Sequence, residues 1–371
     1  MSADCSSGPL IVVGMWRSGT SLLYSLLNQH PDIALMYEAD LFLLEPLFTS
    51  KGSNPDWRAR WEFWNSALSR HHIRAERIPV TVPDLRSGAM AAWKEYANGA
   101  VVMGEKSPNY FDCLSTLAQE FPGARFLIIW RDLADTCRSI VRARTGSTFF
   151  SKPGILHRAV IGCHRLKQGR DALLSKNIPV HEIQYEEMIQ DPAVVLAGVC
   201  QFLGIPFDAR MATLEGVDSS PIYEGSHHNQ VKGGKIERSK ECREVLSSQV
   251  RRKIQWYVNY WRKESGGVWP RYPKSQQNAS DVPGATERFF DELLFRGLRA
   301  LDRFTALVYC YAPFSWLDGY RSFKNRRFIK TLQIDAKQPV QSAAVLTPTL
   351  KIDKVVAVGQ VSQKDAQHVG S

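Results

Sequence analysis

Several things are missing from this chain at once. Its seven cysteines, at positions 5, 113, 137, 163, 200, 242 and 310, form no C-x-x-C pair. That spacing yields no zinc site and no disulfide framework, and it suits a reducing compartment. No stretch reaches the ~18 consecutive apolar residues of a membrane span. The first apolar run, Pro9 to Val13, is too short for a secretory leader and runs straight into a glycine turn. The expected location is therefore cytoplasmic. No internal repeat and no metal-ligand motif is visible. Negative charge is in short supply: 47 Lys and Arg face 37 Asp and Glu, for a net charge of +10. Such an excess favours anionic partners, among them phosphates, acidic or sulfated glycans and membrane surfaces. Nucleic acid is not an expected partner.

What is present is concentrated in residues 9–27, PLIVVGMWRSGTSLLYSLL. Leu10 to Val13 reads as a short β-strand and Gly14 breaks it. Arg17-Ser18-Gly19-Thr20-Ser21 forms a small polar turn. Leu22, Leu23, Leu26 and Leu27 then recur at helical spacing. A strand, a glycine turn and a helix N-terminus make an anion site, because the first helical N–H groups have no partner and the dipole end is positive. Ser18, Thr20 and Ser21 add hydroxyl donors and Arg17 a permanent charge. Gly14 and Gly19 have the spacing of a Walker A loop, but Thr20 stands where its lysine belongs. ATP or GTP hydrolysis is disfavoured on that ground. A plain strand-turn-helix is the bland alternative.

Further strands are expected at Val101–Met103, Phe126–Trp130 and Pro179–Ile183, and FLIIW is apolar throughout, as a buried parallel strand should be. Helices are expected over 114–121, 132–144, 158–174, 239–260 and 287–311, and one through Leu203 opened by Asp191-Pro192. Residues 35–100 read as mostly helical, with a loop marked by Pro79, Pro83 and Gly88, and residues 219–240 read as a long loop. The alternation implies an α/β fold of the P-loop type: three layers, a central parallel sheet flanked by helices. A nucleotide-binding domain over 1–270, a linker over 271–284, a helical extension over 285–330 and a poorly ordered tail over 331–371 complete the expected organisation. In the extension, Phe289, Phe290, Leu293, Leu294, Leu298, Leu301, Phe304 and Leu307 share one face. Peripheral membrane contact through 287–311 is one reading of that face; a packing arm is the other.

A second anion site is legible after the apolar strand. Arg131 follows Trp130 directly, and Ser139 lies eight residues on, within a helix. Open α/β sheets bind ligands at this edge. Two separated phosphate sites suggest a nucleotide carrying phosphate at two points.

Taken together, W-R-S-G-T-S-L-L at 16–23, R-D-L-A-D-T-C-R-S at 131–139 and Y-E-E-M at 185–188 resemble the sulfotransferase family, and most of all its tyrosylprotein and carbohydrate members. The likeness covers roughly residues 9–260 and implies 3′-phosphoadenosine 5′-phosphosulfate as donor and no metal. It implies that Arg17 to Ser21 hold the 5′-phosphosulfate, Arg131 and Ser139 the 3′-phosphate, and Tyr185 the adenine side. Lys235, after Gly233-Gly234, is a looser match to a lysine closing over the nucleotide. It further implies a catalytic glutamate at Glu38 and a catalytic lysine at Lys106 in G-E-K-S-P, with Arg17 assisting. A further arginine expected one turn beyond Ser139 is absent; Ala143 stands there, between Arg142 and Arg144.

Each role has an ordinary counterpart. Glu38 could be a solvated carboxylate, Lys106 a surface lysine and Tyr185 mere packing, while His227 and His228 are lesser candidates for a base. Three functions remain open on the sequence. They are sulfuryl transfer to a hydroxyl of a carbohydrate or small molecule, phosphoryl transfer by a P-loop kinase, and binding of a membrane or partner without catalysis. Residues 40–100 and 145–175 are expected to line the acceptor site.

Overall fold

The computed structural model describes residues 8–40, 68–73, 85–147, 149–222, 231, 233–234, 236, 245–266 and 282–311. Five parallel strands form its sheet: β1 (Leu10–Gly14), β2 (Ile33–Tyr37), β3 (Val102–Lys106), β4 (Arg125–Trp130) and β5 (Val180–Gln184), in the order β2-β3-β1-β4-β5. Helices α1 (Thr20–Leu27), α2 (Leu85–Ala97), α3 (Leu114–Glu120), α4 (Leu133–Ala143) and α5 (Ile155–Ser175) fall among the strands. α6 (Tyr185–Gln190), α7 (Pro192–Leu203), α8 (Ser248–Glu264) and α9 (Ala285–Tyr311) follow β5. The expected three-layer α/β architecture is present.

The two sheet faces follow from alternation along β1. Successive side chains of a strand point to opposite sides. Leu10 and Val12 join α1 and α7 in one core, with Leu22, Leu23, Leu127, Ile129 and Val199. Ile11 and Val13 join the other, with Phe126, Ile128, Trp93, Phe111 and Leu166. Both faces are covered, so β1, β2 and β4 beyond Arg125 are apolar, whereas the edge strand β5 carries His181, Glu182 and Gln184.

Four readings need correction. Residues 33–37 are β2, a strand within the stretch read as mostly helical from residue 35. IALMY is too short to show a period, and only pairing with β3 settles its state. Gly88, read as part of a loop, lies inside α2. The third strand runs on to Lys106 instead of stopping at Met103. Gly104, read as its end, sits mid-strand because a Cβ there would collide with the carbonyl oxygen of Leu10 on β1. The helix expected from Ser239 begins at Ser248, where the Ser247 hydroxyl accepts from the N–H of Val250 and caps it. α4 and α7 are capped as expected, by Asp132 and by Asp191 ahead of Pro192.

The chain divides into two compact units, residues 1–322 and 323–371, and the second lies outside the described residues. Among the described residues no helix is long and apolar enough to cross a membrane.

Candidate functional site

The chain leaves β1 toward β2 on one side and leaves β4 toward β5 on the other. A crevice opens at such a reversal, at the C-terminal edge of the sheet. The two sequence-predicted anion sites stand on its opposite lips, the turn after β1 and the start of α4 after β4. Arg131 Nη1 donates to the carbonyl of Arg17 at 2.9 Å, and Arg17 Nε donates to Ser139 Oγ at 3.1 Å. The guanidinium of Arg131 also lies 4.4 Å from the ring centroid of Tyr185, the first residue of α6. Arg17, Arg131, Ser139 and Tyr185, as much as 168 positions apart in the chain, therefore meet at one place.

The turn itself is shaped by backbone. Arg17 and Gly19 both have left-handed φ, at 69° and 100°. A Cβ on Gly19 would run into the Tyr185 ring, so the position demands glycine twice over. α1 starts at Thr20 with no side-chain cap. Its first N–H groups are thus available to an anion. The Ser18 hydroxyl is buried with no hydrogen-bond partner. A buried hydroxyl without a partner costs about 1–3 kcal/mol. An oxyanion in the turn would relieve that cost, so these residues fit a phosphate or sulfate.

Beside the crevice, β2 and β3 bring the second pair together. Tyr37 pairs with Lys106 in register, and the Glu38 N–H donates to the Lys106 carbonyl at 2.8 Å. Lys106 is fully buried; its Nζ lies 2.5 Å from Glu38 Oε1 and 3.5 Å from Ser21 Oγ. It also sits 3.5 Å above the Tyr37 ring, whose hydroxyl is 2.8 Å from Ser21 Oγ. Burial pulls the Lys106 ammonium below its ordinary value, and the Glu38 carboxylate opposes that shift. The lysine is thus neither solvated nor on the surface, and Glu38 is no helical carboxylate. Glu38 takes left-handed φ at 43°, and its carbonyl accepts from Arg70 Nη2 at 2.9 Å. That strain is the kind that surrounding structure imposes at working sites.

Sequence reasoning missed what holds Glu38 in place. Asp40, again with positive φ, accepts from Ser107 Oγ and from Asn109 Nδ2 at 2.9 Å. Its N–H donates to Glu105 Oε1, while Glu105 Oε2 accepts from Tyr110 OH at 3.0 Å and Trp93 Nε1 at 3.3 Å. Asn109 in turn accepts from Trp16 Nε1 at 2.9 Å, which ties the cluster to the first turn. Burial raises the Asp40 carboxyl above its usual range, with Glu38 adding to the shift, and burial pushes Glu105 up to about 8. The G-E-K-S-P motif held the only sequence signal for this network: Glu105 and Ser107 flank Lys106 and face the other way.

Of the remaining candidates, Lys235, His227 and His228 lie outside the described residues. Arg142 is exposed, whereas Arg144 is half-buried, with its Nε buried and lacking a hydrogen-bond partner. In the expected acceptor region, Phe149 packs edge-on against Trp16 at 5.0 Å, and the Arg158 guanidinium lies 5.5 Å from the same indole. Among the described residues no group of three His, Cys, Asp or Glu side chains could hold a metal ion.

Fold and site together define a three-layer α/β protein whose switch crevice is suited to an anion. The sulfotransferase family model matches residues 9–209, and the chain belongs to that family. It is 26% identical over 208 residues to protein-tyrosine sulfotransferase 1 of Danio rerio, covering 54% of either protein. It is 35% identical over 137 residues to nodulation protein NoeE of Sinorhizobium fredii, covering 36% of this chain and 31% of that one. The chain thus spans about half, or less, of the length of these relatives. Among solved structures, the sulfotransferase domain of the Synechococcus PCC 7002 olefin synthase aligns at 17% identity and a TM-score of 0.46. That alignment covers 69% of this chain and 96% of the domain.

Proposed function

We propose that the protein transfers the sulfuryl group of 3′-phosphoadenosine 5′-phosphosulfate to an acceptor hydroxyl. The observation that carries this reading is the buried Lys106–Glu38 pair set beside a turn whose Ser18 hydroxyl lacks a partner. The turn and the N-terminus of α1 would hold the 5′-phosphosulfate, with Arg17 at its edge. Arg131 and Ser139 would hold the 3′-phosphate, and Tyr185 would border the adenine. Arg144, with its Nε lacking a hydrogen-bond partner, is a better substitute than Arg142 for the arginine missing at Ala143.

The reaction is an in-line displacement at sulfur. The acceptor oxygen forms a bond to sulfur as the bond from sulfur to the 5′-phosphate oxygen breaks. Glu38 takes the acceptor's proton, and 3′-phosphoadenosine 5′-phosphate leaves. Glu38 is 17% exposed, which leaves it reachable by a hydroxyl, while Lys106 holds its Oε1. Charge spreads onto the sulfonate and the departing oxygen, and Lys106 and Arg17 are the cations placed to balance it. A buried ammonium serves this purpose well because it needs little reorganisation during the reaction. A carbohydrate or small-molecule hydroxyl is the favoured acceptor class over protein tyrosine. A P-loop kinase would need the lysine that Thr20 replaces.

Calorimetric titration with 3′-phosphoadenosine 5′-phosphate, ADP and ATP tests the donor. Tight binding of the first alone is expected. Arg131→Ala should weaken it by about 10- to 100-fold, the worth of one charged hydrogen-bond set. Equal binding of all three nucleotides would refute the proposed donor.

A further inference from the structure

The last helix, α9, is attached by its polar side. Asp291 is buried and bonded to Lys253, to Tyr257 OH at 3.1 Å and, through its carbonyl, to His157 at 3.1 Å. Glu292 takes a two-point contact from Arg165, Asp302 pairs with Arg158 and Lys152, and Arg299 lies 3.3 Å from Asp112. Among the described residues two large apolar side chains join them: Phe295, which is 1% exposed against Phe111, and half-buried Leu298, which lies against Gly154. Of the apolar face identified from the sequence, Leu298 thus turns inward and the Leu307 side chain lies outside the described residues, while the other six members are exposed. Phe289, Phe290, Leu293, Leu294 and Phe304 are each between 52% and 64% exposed. They lie on one side of the helix, with Arg296, 72% exposed, at its border.

An ordinary amphipathic helix buries that stripe. This one uses four ion-pairing residues to keep most of it outward. We propose that the stripe inserts into the surface of a bilayer rich in anionic phospholipid. Charge selects this occupant. The chain carries +10 overall, and residues 319–330, which begin eight positions after the helix ends, hold Arg321, Lys324, Arg326, Arg327 and Lys330 with no acidic residue. Aromatic and aliphatic residues, Tyr320, Phe323, Phe328 and Ile329, alternate with them. Reversible membrane attachment takes two signals together, apolar insertion and a polybasic run. Both are present within 42 consecutive residues, 289–330. A second copy of a chain carrying +10 meets like charge instead.

Co-sedimentation of the full chain with vesicles decides the matter, using phosphatidylcholine alone or with about a third phosphatidylserine. Binding to the anionic vesicles should exceed binding to the neutral ones at least about tenfold and should fall with added salt. The double variant Phe290→Asp/Leu293→Asp and the charge variant Arg326→Glu/Arg327→Glu should each release the protein at unchanged melting temperature. Leu294→Asp gives a second, milder change on the same face. Three results would overturn the proposal: protein remaining in the supernatant, equal sedimentation with neutral vesicles, or full binding by the Phe290→Asp/Leu293→Asp variant. A concentration-dependent dimer dissolved by that variant would overturn it too, by assigning the face to a second copy. The nucleotide titration above is independent of these results.

Discussion

At the C-terminal edge of the sheet the protein buries a lysine and a carboxylate, Glu105, outright, with two more carboxylates, Asp40 and Glu38, half-buried; on α9 it leaves six large apolar side chains exposed. Both regions invert the usual partition between core and surface, and they do so in different ways. In the first, each titratable group is answered: Lys106 by Glu38, Asp40 by Ser107 and Asn109, Glu105 by Trp93, Tyr110 and the Asp40 N–H. In the second, exposure is imposed by ion pairs on the opposite side of the helix. A buried ion pair is a poor source of stability, because desolvation offsets most of its attraction. Such a pair is better explained by work at a site. An exposed apolar stripe likewise contributes nothing to folding until something covers it.

The comparison can be broken most sharply at Lys106. Lys106→Met keeps the side-chain stem and removes the charge. Sulfuryl transfer should fall by about 10³-fold, the scale of losing one preorganised electrostatic group. Bisphosphate affinity should hold, and labelled-donor turnover beside calorimetry separates the two. Survival of turnover would remove Lys106 from the reaction.

Phe295→Ala comes next. It is the fully buried apolar anchor of α9, and its loss should cost about 3–4 kcal/mol in a denaturant unfolding curve. A cost near zero would mean that the ion pairs alone hold the helix.

Glu105 offers a pH test of the first region. Its folded value of about 8 lies above the ordinary 4.5. The folded protein therefore keeps a proton that the unfolded chain has already released. The stabilisation from this group is complete below the ordinary value and disappears as pH rises through about 8. Asp40, raised in the same direction, adds to the trend. Glu105→Gln should flatten the fall of Tm measured from about pH 5 to about pH 8.

The smallest effect belongs to the exposed face. Leu293→Asp should change stability by less than about 0.5 kcal/mol, as surface substitutions generally do. The contrast with Phe295, two positions away, is the measurement of interest: a large cost at Leu293 would mean that the stripe is covered within the folded chain.

Much of this was legible beforehand, because it is written locally. The glycine turn at 14–21 and Arg131 after FLIIW mark strand ends by composition, and a parallel sheet brings its strand ends to one edge. From that alone the crevice followed, with the candidate anion-binding residues at its edge. β2 was not legible, since five apolar residues have no period and the pairing that makes them a strand comes from β3. Nor was the middle of β3, because Gly104 reads as a breaker until the Leu10 carbonyl is found occupying the space of its missing side chain.

The sequence by itself determined the α/β class, the glycine turn after the first strand, the arginine at the end of the FLIIW strand and an amphipathic last helix, since each depends on spacing within a few turns of chain. The tertiary structure alone decided that Lys106 is buried against Glu38, that Asp40 and Glu105 brace that pair, and that α9 faces Phe289, Phe290 and Phe304 outward while turning Phe295 in. Those outcomes depend on which side chains meet across 30 to 150 positions, such as Glu38 with Lys106 and Arg158 with Asp302. Hydrophobic periodicity states that a helix has two faces; only the ion pairs it meets on folding choose which face turns in.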